Sequence, residues 1–206
     1  FFGAGDAISV TGHDGVPNSA VQFTKDQFVE IATPLDPNDP NVVGGIIPRD
    51  PSGFMYEMWF RLDGQATGSL FSENNPGSDG PNLITEFTGG ELASLIGSGP
   101  DGASGWGGDV EGSVVPRISP PGGFDFEQWY YVAVVLDPDN GNNYIYLSDG
   151  TEMWSNSQAR NTGFIGGWTP ESTMVDRVRL NGNYVSLGGA YTLDDVRIFD
   201  LAFDPN

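Results

Sequence analysis

Turn-forming residues punctuate this chain from end to end, and few stretches place helix formers at helical spacing. Glycine accounts for 30 and proline for 15 of the 206 residues, gathered in no single tract. Proline fixes φ and removes a backbone donor, while glycine opens the left-handed region, so the segments between them stay short. Short runs of period-two alternation between such residues are strands. About twelve strands without a long helix predict an all-β fold of two packed antiparallel sheets. No repeat and no linker divides the chain, so residues 1–206 are expected to form a single domain.

Met55–Leu62 is the clearest strand: Tyr56, Met58, Phe60 and Leu62 are apolar, while Glu57, Trp59 and Arg61 alternate with them. Such alternation puts one face in a core and the other elsewhere. Trp129–Leu136 and Tyr144–Leu147 flank the turn residues Asp137–Asn143 and predict a hairpin. Val175–Leu180 and Leu193–Asp200 alternate again, the latter with Val196 and Ile198 inward. Weaker strand signals lie at Ala7–Val10, Val21–Phe23, Phe28–Ile31, Ser69–Ser72, Asn82–Phe87, Ser113–Ile118, Glu152–Trp154 and Tyr184–Leu187. Leu92–Ile96 suits a strand or a short helix. Long surface loops are expected at 33–53, 97–124 and 155–174.

Charge and chemistry then narrow the function. There is no cysteine, so thiolate metal sites and thiol catalysis are excluded. His13 is the one histidine, which leaves no His-rich metal site. The net charge of −20 opposes nucleic acid and anionic membrane surfaces as partners. No apolar run approaches the ~20 residues of a membrane span. An acidic chain with so little lysine suits a secreted or cell-surface protein, and a start at Phe1-Phe2 reads as a processed or trimmed product.

Three stretches resemble the laminin-G-like branch of the concanavalin A-like lectin/glucanase jelly rolls, a superfamily that includes pentraxins. Asn18–Phe23 with Phe28–Ile31 is similar to its opening strands, and Tyr56–Phe60 to its first inner strand. Gln128–Ala133 with Tyr144–Gly150 is similar to its W-x-x-V-A…Y-V-D-G hairpin, and Leu193–Phe199 to its closing strand. The resemblance spans about 18–203 and implies a jelly-roll sandwich. It also implies a structural calcium between an N-terminal loop and the aspartate of the last strand. That aspartate is Asp194, with Asp14 or Asp6 to complete the site.

Catalysis is not expected. The glucanase relatives carry E-x-D-x-x-E on one strand, and no stretch matches it. Asp125 and Glu127 form one alternating pair in a loop. The expected role is instead recognition of an extracellular glycan or matrix, as an adhesion module. Trp106, Trp154 and Trp168 lie in or beside polar loops and suit sugar stacking. Trp59 and Trp129 lie within strands and are read as packing. Arg61, Arg177, Arg179 and Arg197 alternate outward on strands, either as a polar groove or as an ion-pair ladder with Glu57, Asp176 and Asp195. The alternative role is a self-assembling extracellular subunit, associating through the apolar Phe1 and Phe2. A glycan-degrading enzyme is the third.

Overall fold

The alternating runs pair as two sheets. The structure is a computed structural model and describes residues 7–25, 27–32, 54–74, 81–96, 116–137, 142–159, 177–182 and 189–199. All thirteen strands among them pair antiparallel. The seven-stranded sheet runs β1 (Ile8–Val10), β2 (Ala20–Phe23), β13 (Tyr191–Phe199), β4 (Phe54–Leu62), β9 (Trp129–Asp137), β10 (Asn142–Ser148) and β11 (Met153–Ala159). The six-stranded sheet runs β3 (Val29–Ala32), β12 (Arg177–Leu180), β5 (Gly68–Asn74), β6 (Pro81–Thr88), β7 (Glu91–Ile96) and β8 (Arg117–Ile118). Among the described residues there is no helix, and hence none long and apolar enough to cross a membrane.

The core lies between the inner faces. Tyr56, Met58 and Phe60 of β4 are 0% exposed, as their alternation predicts. Each such side chain contributes roughly 1.5–3 kcal/mol by leaving water. Tyr56 stacks on Phe71 of the opposite sheet at 4.2 Å. Its hydroxyl meets that of Thr85, so the buried phenol is satisfied; burial pushes its pKa upward. The predicted antiparallel hairpin forms, with Tyr144 opposite Val135 and Leu147 opposite Val132. At one end Phe124 packs on Phe87 and Tyr130, at 5.1 Å from each.

Several expectations change. Leu92–Ile96 is strand, and β11 carries regular pairing on to Ala159, where a loop from 155 was expected. The expected strand at Tyr184–Leu187 lies outside the described residues, as does loop 33–53. Val196 and Ile198 pack against the core but are only half-buried. β13 also carries a bulge between Asp194 and Arg197. Asp194 pairs with Trp59 and Arg197 with Glu57, so β13 spends one more residue than β4 over the same span. Asp195 takes the extra place in the left-handed region, at φ 51°.

The outward face of the seven-stranded sheet is not uniformly polar. Met55, Ala133, Val135 and Tyr146 form a second buried cluster there, with Tyr131, Tyr144 and Phe199 packed around it. Four residues along β4 from Met55, the same face carries Trp59 and its polar neighbours.

Candidate functional site

The loop after β1 folds down onto this face. Gly15 has φ 81° and its N–H donates to Gly12 O (3.1 Å), while Gly12 N–H donates to Val16 O (3.0 Å). A Cβ at Gly12 would stand 2.2 Å from Asp194 Oδ2 and 2.1 Å from Ser19 Oγ, so only glycine lets the loop come this close. His13 follows directly. Its backbone N–H donates to Asp194 Oδ2 at 3.0 Å, and its Nδ1 lies 2.8 Å from the same oxygen. Asp195 N–H donates to Asp194 Oδ1 (2.9 Å). Asp194 is 6% exposed, and these three donors offset its desolvation.

The His13 ring lies flat on Trp59, at 4.4 Å and 9°, and edge-on to Trp129. Arg61 sits 5.4 Å over the Trp129 ring, and its guanidinium also reaches Asp63 at 2.9 Å. Trp59 belongs to a pocket of about 350 Å³. Its floor is Glu57, Trp59 and Tyr131 from neighbouring strands. Ser148, Gly150 and Met153 border it from the β10–β11 turn, and Asp195 and Arg197 from β13. The Tyr131 hydroxyl donates to Glu57 Oε2 at 2.5 Å. Burial first, then this bond and the carboxylate's charge, push the Tyr131 pKa upward. Arg197 spans the two acids, 3.4 Å from Glu57 and 3.0 Å from Asp195. Aromatic rings beside planar charged groups supply stacking and directed hydrogen bonds, the chemistry of sugar recognition.

The residues singled out in the sequence divide accordingly. Asp194 and Asp14 come together with His13, their ligand atoms within 4.8 Å of one another. These three fit a divalent cation. The carboxylates suit calcium, and the imidazole suits a softer ion such as zinc, so the set does not single out calcium. Arg61 and Arg197 share the outward face with the pocket. Arg179 does not: it lies on the other sheet, 2.7 Å from Glu30 and 4.3 Å from the Phe28 ring. Arg177 is on that same strand, β12. Trp154 packs toward the core from β11, away from the pocket. Asp6, Trp106, Trp168, Phe1 and Phe2 lie outside the described residues.

His13, Trp59, Trp129 and Tyr131 were not among the site residues expected. The available signal was Trp59, an aromatic on the otherwise polar side of an alternating strand.

No protein-family model matches the sequence, and no curated protein matches it. Solved structures do. The enzymatically active domain of bacteriophage CBA120 tailspike protein 2 is 12% identical over 94% of this chain and 27% of its own, with a TM-score of 0.54. Trypanosoma rangeli sialidase in complex with sialic acid is 13% identical over 92% of this chain and 26% of its own, at 0.50. A heptameric SAP-like pentraxin from Limulus polyphemus is 15% identical over 74% of this chain and 66% of its own, at 0.47. The chain spans about a quarter of the length of the tailspike domain and the sialidase. The two antiparallel sheets form a jelly-roll β-sandwich, a fold that the chain shares with the tailspike domain and the sialidase.

One expectation is overturned here. The chain was expected not to be an enzyme, yet a sialidase and an enzymatically active tailspike domain share its fold over nine-tenths of its length. Two carboxylates do share a pocket, Glu57 and Asp195, and they come from different strands rather than from one motif. Asp125 and Glu127, the pair visible in the sequence, are both exposed.

Proposed function

We propose that this domain recognises carbohydrate through the pocket on the outward face of its seven-stranded sheet. The carrying observation is the convergence of Trp59 and Tyr131 with Glu57, Asp195 and Arg197 in one pocket of about 350 Å³. The fold shared with a sialidase, over 26% of that chain, favours a sugar as the ligand class without bearing on which sugar. A secreted or cell-surface setting, inferred from the acidic composition, agrees with an extracellular glycan or matrix as partner. The test is a glycan array probed with the wild-type chain and with Trp59→Ala. Truncating an anchor of this kind costs about 1–3 kcal/mol of binding, so the variant should lose its signal while keeping its circular-dichroism spectrum. Equal signals from both proteins would move the site elsewhere.

A second reading concerns His13, Asp14 and Asp194, whose gathering supports a bound cation. Calcium is the ion expected from the family resemblance. An ion at a hundredfold excess over Kd adds about 2.7 kcal/mol of stability. Calcium and zinc titrations, read as melting temperature with and without chelator, separate the two ions. An unchanged melting curve in both rejects the cation.

A further inference from the structure

We infer that the pocket selects neutral, hydroxyl-rich sugars and rejects acidic ones; this rests on the carbohydrate reading above. The pocket holds two carboxylates, Glu57 and Asp195, against one guanidinium, Arg197. Arg197 directs Nη1 at Glu57 and Nη2 at Asp195, so both arms already serve carboxylates. A uronate, sialate or sulfate group would have to displace one of them. Displacing Glu57, whose side chain is 13% exposed, would leave a largely buried charge without its cation. The net charge of −20 adds repulsion that acts before contact.

A sugar hydroxyl meets the opposite situation. It is a donor, and the carboxylates of Glu57 and Asp195 are acceptors with lone pairs beyond those that Tyr131 and Arg197 use. The Ser148 hydroxyl accepts Gly150 N–H at 3.0 Å and keeps its own proton to donate. Trp59, Tyr131 and the half-exposed Met153 provide the apolar surface for a pyranose ring. Arg197 thus holds the acceptors in place, and the acceptors read the hydroxyls.

The experiment measures binding of neutral gluco-, manno- and galacto-oligosaccharides, of alginate and sialylated oligosaccharides, and of chitosan oligomers, at low and high salt. The wild-type chain should bind a neutral class, with the acidic classes at least about tenfold weaker. Asp195→Asn should narrow that gap, and Glu57→Gln should narrow it further if its melting curve shows it folded. Asp195 is exposed, so the first variant tests the idea even where the second fails to fold. Tighter binding of alginate or sialylated sugars than of neutral ones would overturn the selectivity while leaving carbohydrate recognition standing. Tighter binding of chitosan that vanishes in salt would also overturn it, by showing that charge attraction and not hydroxyl reading selects the ligand. Binding of none of these sugars would remove the carbohydrate reading itself.

Discussion

The two sheets treat their outward charges in opposite ways. On the six-stranded sheet, Arg179 and Glu30 close on each other at 2.7 Å with side chains only 15% and 12% exposed, and Phe28 covers the guanidinium. On the seven-stranded sheet, Arg197 bridges two acids with its side chain 56% exposed, at the rim of a pocket. The outward face of that sheet is itself divided. Met55 is sealed in an apolar cluster, and Trp59 lines the pocket. Outward alternation therefore says which way a side chain points, not whether water or a ligand reaches it.

The sharpest way to break this contrast is to truncate both ends of the divided face. Met55→Ala should cost about 2–5 kcal/mol in urea unfolding, as for any buried methionine. Trp59→Ala should cost clearly less stability and remove sugar binding. Equal unfolding costs would show that the pocket end is as much core as the covered end.

The arginines give the next largest difference. Arg179→Ala removes one partner of a largely buried ion pair with Glu30 and should cost about 3 kcal/mol. Arg197→Ala should cost less, about 1–2 kcal/mol, because Glu57 keeps the Tyr131 hydroxyl as a donor and the pair with Asp195 is exposed. Chemical denaturation of both variants checks the order, and similar losses would erase the distinction between the two faces.

Asp194→Ala should cost about 1–3 kcal/mol, by removing the acceptor for three donors. The same change should free His13 from its place on Trp59, visible as altered tryptophan fluorescence. A lower melting temperature with unchanged emission would mean that the ring stacks without its anchor.

The smallest effect concerns pH. Glu86, half-buried on the outward side of the six-stranded sheet, has its carboxyl raised above 4.5, first by desolvation and against the pull of Thr88, Ser69 and Arg117. The folded state therefore holds its proton more tightly than the unfolded state. Any stability from this group is present below pH 4.5 and is lost as pH rises through the folded value. Glu86→Gln should flatten that part of the stability profile and raise the melting temperature at neutral pH. A steeper profile in the variant would reverse the sign.

Much of the frame was legible in local pattern. The alternation of Tyr56, Met58 and Phe60, the β9–β10 hairpin and the closing strand all follow from neighbours in sequence. A meeting of Asp194 with the N-terminal loop was legible only through the family resemblance, as a shared calcium. What anchors to it was not, because His13 and Asp194 meet across 181 positions that no local pattern spans. The arginines show the same limit. Arg179 and Arg197 alternate alike, yet β12 joins one sheet and β13 the other. Trp59 was assigned to packing because it sits in an apolar run, though its odd position put it opposite Met58. Trp154 was read from its polar surroundings, while its register opposite Leu147 turned it toward the core.

The bulge in β13 has an evolutionary consequence. Val196 faces inward and Arg197 outward as they would in an unbroken strand following Asp194, so Asp195 is a surplus position. Loss of that one codon would restore ordinary pairing, with Val196 opposite Met58 and Arg197 still opposite Glu57, and would take one acid from the pocket rim. In most strands a single-residue deletion turns every later side chain to the wrong side. Here it would change the charge of the pocket rim and leave the rest of the sheet in phase, a step that most β-sheets cannot survive.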